Sequence, residues 1–317
     1  MADRRVVAAG GTLTLFLATE LLAVALVGPF RAAGIHYAPG ATTAAPSTVG
    51  TGGATGSSAP LFGLGGLVPV ALGVALGTLL VLAMVRYDVD RRLVRLLMLS
   101  SLSAALAFVF AAVFPVSLGG GLAAAAVVAA VVWVYPEWYV LNAVVLVAVA
   151  GIAALLGTSL GPFAGLIALG LMAAYDAYSV YGSGHMQTMA DSAAAMGTPT
   201  MFVVPTERGA STTNLDGIDA DASAPGSVAF LGAGDALFPG LFVVVAVGVG
   251  TPVLGPFTLP ALGALLGSTV GLLALQWVAN TRGGVHAGLP PLNAGTVAGY
   301  LLGVAAAGVP LLAAVGI

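Results

Sequence analysis

Cysteine and lysine are both absent from the 317 residues, and histidine occurs only three times. Without cysteine the chain can form no disulfide, no thiolate metal site and no cysteine nucleophile. Charge is scarce as well. Charged residues make up 7% of the chain, and nine basic residues, all arginine, stand against twelve acids for a formal net charge of −3. That balance provides no basic surface for nucleic acid. His185 and His286 lie in loops, and no grouping of acids with histidine has metal-ligand spacing, so neither a metal nor another cofactor is expected. Short alternation of polar and apolar residues is also missing, which excludes the strands of a membrane β-barrel.

What is present is hydrocarbon. Hydrophobic residues make up 59% of the chain, and the mean hydropathy is +1.08. This is the composition of a multispanning membrane protein, and apolar runs of about 20 residues or more predict an all-α fold. Nine transmembrane helices are expected, over residues 6–30, 61–85, 94–114, 118–134, 139–156, 161–181, 227–249, 255–278 and 289–315. The first has an apolar core longer than the roughly 7–15 residues of a cleaved leader, so it is read as a retained span. Residues 34–60, rich in Gly, Ala, Ser and Thr, read as a flexible loop. The chain then forms a single polytopic domain over 1–317: helices one to six in 1–182, a polar loop in 183–226 and helices seven to nine in 227–317. Gly73 and Gly77, Gly161 and Gly165, and Gly299 and Gly303 have the spacing that lets helices approach closely.

Arginine placement sets the orientation, because loops on the cytoplasmic side carry the excess of positive charge. With nine spans and a cytoplasmic N-terminus, Arg4, Arg5, Arg86, Arg91, Arg92, Arg95, Arg208 and Arg282 are all cytoplasmic. Arg31 alone is outside, as is the C-terminus. Trp133, Tyr135, Trp138, Tyr139 and Trp277 then fall at the cytoplasmic interface, where such rings anchor.

Three acids lie inside apolar spans: Glu20, Asp176 and Asp235. Buried membrane acids are expensive, so function is their default explanation. On the expected boundaries Asp176 sits about 8 Å from the cytoplasmic edge of the sixth span and Asp235 about 12 Å into the seventh, at 1.5 Å per residue. Two carboxylates on consecutive helices at matching depth can share a proton and titrate as a unit. One can then activate water while the other protonates a carbonyl oxygen. Glu20 is alone in its span and is read as a packing or cavity-facing residue.

Tyr175-Asp176 on one span, Gly232-Ala233-Gly234-Asp235 on the next, and the count of nine spans resemble the presenilin and signal peptide peptidase family of GxGD intramembrane aspartyl proteases, most closely its archaeal branch. The resemblance implies an aspartic endopeptidase that hydrolyses transmembrane segments or signal peptides, with Asp176 and Asp235 catalytic. Tyr175, Gly232 and Gly234 would frame the site. The family's Pro-Ala-Leu motif has a literal copy in Pro260-Ala261-Leu262 of the eighth span, but Leu289-Pro290-Pro291-Leu292 opens the ninth, where the motif belongs. Pro290, Pro291 and Leu292 are therefore assigned to the site, and Pro260 to a kink. Partners would be transmembrane substrates and the lipid of a cell membrane, together with a second copy of the chain if it assembles as a homo-oligomer. Met201-Phe202-Val203-Val204-Pro205 is a β-prone run between the two acidic spans, read either as a loop on the membrane surface or as a strand that pairs with an unwound substrate. The same acids would also suit a proton-coupled transporter, and the GxGD motif a prepilin or preflagellin peptidase.

Overall fold

A computed structural model describes residues 2–33, 76–77, 79–80, 83–84, 86–87, 89–114, 116–183, 201–206, 228–282 and 286–316. Most of the expected second span, the loop over 34–60 and most of the polar loop over 183–226 lie outside these residues. The chain runs α1 (Ala2–Ala25), α2 (Val27–Ala32), α3 (Arg91–Val113), α4 (Leu118–Val134), α5 (Trp138–Ser159) and α6 (Pro162–Ala177), which continues as a π-helical turn over Tyr178–Ser183. Strands β1 (Met201–Pro205) and β2 (Val228–Gly232) precede α7 (Ala233–Val247). A hairpin, β3 (Pro252–Leu254) and β4 (Phe257–Thr258), leads into α8 (Leu259–Arg282), then α9 (Leu289–Ala306) and α10 (Leu311–Val315). Among the described residues, five stretches are long and apolar enough to cross a membrane: Val6–Ala32, Arg92–Val113, Trp138–Ser159, Pro162–Gly182 and Leu259–Arg282. The protein is thus a mostly helical, multi-pass membrane protein.

Helix α7 is the axis. From Phe238 to Val247 every residue is buried, as expected of a helix that is apolar on all sides. It packs against α1, α5, α6, α8 and α9, while α3 and α4 pack on one another and on α5 at the periphery. Small residues set the close approaches. A side chain at Gly165 would meet the Phe242 ring at 2.9 Å, and one at Gly157 would meet the Leu241 carbonyl oxygen at 2.6 Å. The edge of Phe242 in turn meets the ring of Tyr300 on α9, with centroids 5.0 Å apart.

The most extensive helix pair is α8 with α9. Gly263 and Gly267 of α8 interleave with Gly295 and Gly299 of α9, so closely that an added Cβ would lie 2.0–2.2 Å from a facing carbonyl oxygen. Backbone contact of this kind drives helix association where lipid is as apolar as the side chains. At the end of α4, the Arg95 guanidinium donates to the Val132 and Trp133 carbonyls and lies over the Trp133 ring. A cation there complements the helix C-terminus.

Three span boundaries are corrected. The seventh span, expected from residue 227, becomes helical only at Ala233, because Val228–Gly232 pair with β1. The eighth, expected from 255, starts at Leu259. Residues 252–258 form the hairpin, and the Thr258 hydroxyl caps the helix by accepting the Ala261 amide at 3.2 Å. Pro260 therefore sits in a first helical turn, where proline is tolerated, and makes no mid-helix kink. The ninth is interrupted at Ala307–Pro310, where Gly308 takes φ +64° and α10 starts anew.

Candidate active site

Asp176 is the penultimate residue of α6, and Asp235 is the third residue of α7. Asp235 lies less far into its helix than the expected boundary placed it, because the five residues ahead of α7 are strand rather than helix, whereas Asp176 stands six residues before the end of the stretch Pro162–Gly182, close to the expected depth. The end of α6 widens into the π turn, a local distortion that often accompanies function. There the Ser179 hydroxyl donates to the Asp176 carbonyl at 3.0 Å, and the Tyr181 hydroxyl accepts the Ala287 amide at 3.2 Å.

The second contact brings the start of α9 to the acids. Asp176 is 4% exposed, and its Oδ2 accepts the Leu289 amide at 2.9 Å. Sequence explains why this amide is offered. A helix start has four amides without intrahelical partners, and here the two that follow Leu289 belong to prolines and do not exist. Pro290 and Pro291 thus strip the first turn of competing donors and leave the Leu289 N–H pointing at Asp176. The turn closes with the Leu292 amide on the Gly288 carbonyl at 3.4 Å.

Asp235 is half-buried against the same segment. A Cβ at Gly288 would lie 2.8 Å from its Oδ1, and one at Gly232 would lie 2.9 Å from its Oδ2. Both glycines are therefore places where the carboxyl rests directly on backbone. Gly234 has open space beside it instead, with nothing within 4 Å of an added Cβ. Two acids from different helices thus converge on Gly288 and Leu289, one by hydrogen bond and one by packing. Tyr175 is half-buried next to Asp176 in sequence. Pro290 and Pro291 form the turn, and the Leu292 side chain is buried in a cluster with Phe16, Val145, Ala236 and Leu272. Gly288 and Leu289 are the residues whose contacts sequence reasoning did not anticipate. Their signal was present in a glycine and a leucine placed directly ahead of two prolines. Pro260 lies at the other end of the α8–α9 pair, beside Gly303.

The β-prone run is a strand, and it is neither a surface loop nor an open edge. Phe202, Val203 and Val204 are buried, and β1 pairs antiparallel with β2 in the register Val203↔Phe230. The carboxamide of Asn142 on α5 closes the other side. Its Nδ2 donates to the Val203 carbonyl at 2.7 Å and its Oδ1 accepts the Val203 amide at 2.8 Å. Val203 therefore turns its backbone groups away from β2. In an antiparallel pair the residue opposite such a position also faces outward, so the Phe230 backbone groups point away from β1.

Among the described residues no group of three or more His, Asp or Glu could hold a metal ion. The model of the signal-peptide peptidase, presenilin aspartyl protease family matches residues 13–309. Two solved structures of a presenilin family intramembrane aspartate protease, in C222 and P2 crystal forms, are similar to this chain. The first is 30% identical with a TM-score of 0.60, covering 94% of this chain and 99% of the other. The second is 29% identical with a TM-score of 0.60, covering 94% and 97%. No curated protein matches the chain.

Proposed function

The chain belongs to the signal-peptide peptidase, presenilin aspartyl protease family and is an intramembrane aspartyl protease, and from that premise we propose that Asp176 and Asp235 are its catalytic pair. The observation that carries this reading is the convergence of both carboxyls on the backbone at 288–289. The pair holds one proton between two acids. The ionised carboxylate takes a proton from water as the water oxygen attacks the scissile carbonyl carbon, and the protonated acid donates to the carbonyl oxygen. As the tetrahedral intermediate collapses, the C–N bond breaks, the amine takes a proton from one acid and a gem-diol hydroxyl returns a proton to the other, which restores the singly protonated pair. No covalent enzyme intermediate is needed. Tyr175, Gly232, Gly234, Pro290, Pro291 and Leu292 frame the pair, the prolines by leaving the Leu289 amide as the donor that holds Asp176.

Substrates of this family are transmembrane segments, and a peptide bond locked in a helix must be unwound before water can reach it. The outward edge of β2 is the surface for that step. Strand β1 is held by β2 on one side and by Asn142 at Val203 on the other, whereas β2 turns the Phe230 backbone outward and runs straight into the turn that carries Asp235. An extended substrate added to this edge has its backbone fixed by main-chain hydrogen bonds and is led past Gly232 to the acids. The arginine asymmetry supports nine spans with a cytoplasmic N-terminus in a cell membrane, and cleavage near the cytoplasmic end of the substrate helix.

Purified protein given a model single-span peptide tests the pair. Asp176→Asn and Asp235→Asn should each abolish product while the protein stays inserted, monodisperse and as heat-stable as wild type. Turnover by either variant would overturn the assignment.

A further inference from the structure

Glu20 is the third acid of the apolar spans, and the reaction above does not use it. It is 0% exposed, near the middle of the apolar stretch Val6–Ala32 that α1 opens. Its Oε2 lies 3.0 Å from the Ser268 hydroxyl on α8, and its Oε1 is buried with no hydrogen-bond partner among the described residues. The Ser268 oxygen also lies 2.8 Å from the Leu265 carbonyl of its own helix. A serine hydroxyl has one hydrogen, and a carbonyl can only accept. Both contacts are filled at once only if Ser268 donates to Leu265 and Glu20 donates to Ser268, which requires Glu20 to carry its proton. The buried Oε1 is then the carbonyl oxygen of a neutral acid, far less costly to leave unpaired than half of a carboxylate.

The stem of Glu20 reaches the helix that carries Asp235. A Cβ at Gly240 of α7 would lie 3.6 Å from Glu20 Cγ and 3.9 Å from Glu20 Cα. Gly240 follows Pro239, which has no N–H to give to the carbonyl four residues earlier, that of Asp235. The helix ladder of α7 is therefore broken at the catalytic residue, and Glu20 packs on Gly240 beside Ala153 of α5. A second polar contact joins α1 to α8, from Gln276 Nε2 to Thr12 Oγ1 at 2.7 Å. It stands eight residues away on each helix, about 12 Å along the seam, and Thr12 does not meet α7 at Gly240.

We propose that Glu20 is a positioning residue, an uncharged carboxylic acid that ties α1 to α8 through Ser268 and braces α7 at Gly240, just beyond the break in the ladder under Asp235. The proposal rests on Asp235 belonging to the catalytic pair. Steady-state cleavage of a single-span peptide by purified protein tests it. Glu20→Gln keeps an uncharged donor for Ser268 and should keep kcat and KM close to wild type. Glu20→Ala and Ser268→Ala should lower kcat about tenfold or more with KM little changed, the scale of a small misplacement of a reacting group. Thr12→Val removes the other contact of the seam and should leave kcat unchanged. If Glu20→Gln is as defective as Glu20→Ala, the residue acts as a charge and the proposal fails. If Thr12→Val matches Glu20→Ala, or if Glu20→Ala is fully active, Glu20 is ordinary packing and the proposal fails equally. Asp235→Asn in the same assay keeps the two readings apart: its activity would sink the dyad assignment, whereas its inactivity beside an active Glu20→Ala would sink only this one.

Discussion

Gly299→Ala adds a methyl group at the closest approach of α8 and α9. The new Cβ would lie 2.0 Å from the Gly263 carbonyl oxygen, 2.8 Å from its carbon and 2.9 Å from Gly267 Cα, where ordinary contact begins at 3.4 Å. The nearest pair must therefore separate by about 1.4 Å, and because every atom it meets is backbone, no side chain can rotate away. Overpacking of this kind costs about 1–3 kcal/mol, and the opened seam also loses weak Cα–H···O contacts of about 0.5–1 kcal/mol each. A net loss of about 2–3 kcal/mol remains after the helix propensity gained by replacing glycine, which is at most about 1 kcal/mol. Helix α9 also carries the Leu289 amide that holds Asp176, so cleavage should fall with stability. Gly170→Ala is the control. It lies in α6 with nothing within 4 Å of an added Cβ, and it should be silent or slightly stabilising. Thermal unfolding of the purified protein should show Gly299→Ala melting lower by on the order of 5 °C or more, with Gly170→Ala at or above wild type. If the two variants melt together, the close packing of α8 on α9 does not limit stability and the reasoning is wrong.

Three further outcomes are expected. The cleavage rate should follow a bell-shaped pH profile, because the acidic limb protonates the carboxylate that activates water and the alkaline limb removes the shared proton; a flat profile from about pH 4 to 9 would count against shared-proton chemistry. Asn142→Leu leaves the buried Val203 amide and carbonyl unpaired, at about 1–3 kcal/mol for each, and should raise amide exchange across β1 and β2 and raise KM for a transmembrane substrate; unchanged exchange at Val203 would refute the role of Asn142 in holding the strand. Pro290→Ala combined with Leu292→Ala should lower cleavage and weaken binding of aspartyl transition-state mimics, whereas Pro260→Ala should do neither, since Pro260 packs beside Gly303 at the far end of the helix pair.

Legibility from sequence followed the physics that each feature depends on. The membrane class and most helices were readable because apolar length alone decides them. The start of α7 was not, since Val228–Gly232 is as apolar as the helix it precedes and only its pairing with β1 makes it a strand. Hydrophobicity does not distinguish a buried strand from a buried helix when both are short. The β tendency of Met201–Pro205 was visible in Phe202, Val203 and Val204, but its neighbours were not. Asn142 lies 61 residues before Val203, and nothing local to either residue links them. The acids stood out because charge in hydrocarbon is rare. What surrounds them stood out less, because Gly288 and Leu289 act through backbone, and only the two prolines that follow them hint at a freed amide.

The two Pro-Leu motifs place their prolines alike and differ in what surrounds them. Pro260-Ala261-Leu262 and Leu289-Pro290-Pro291-Leu292 both open helices, α8 and α9, and both place proline where a helix start tolerates it. They differ in what the freed amides meet. At α8 the side chain of Thr258 accepts the Ala261 amide while donating to the Ala246 carbonyl at 2.9 Å, so that helix start is closed within itself and against the end of α7. At α9 the N-cap is Gly288, which has no side chain to offer, and the Leu289 amide is taken by a carboxylate from another helix. An uncapped helix start is an anion site in waiting, because its amides and its dipole both favour negative charge. Glycine at the cap and prolines after it confine the donors of such a start to the backbone at 288–289, beside Asp176. What sets the α9 start apart is the absence of a capping side chain beside an acid, which the letters Pro-Ala-Leu do not encode.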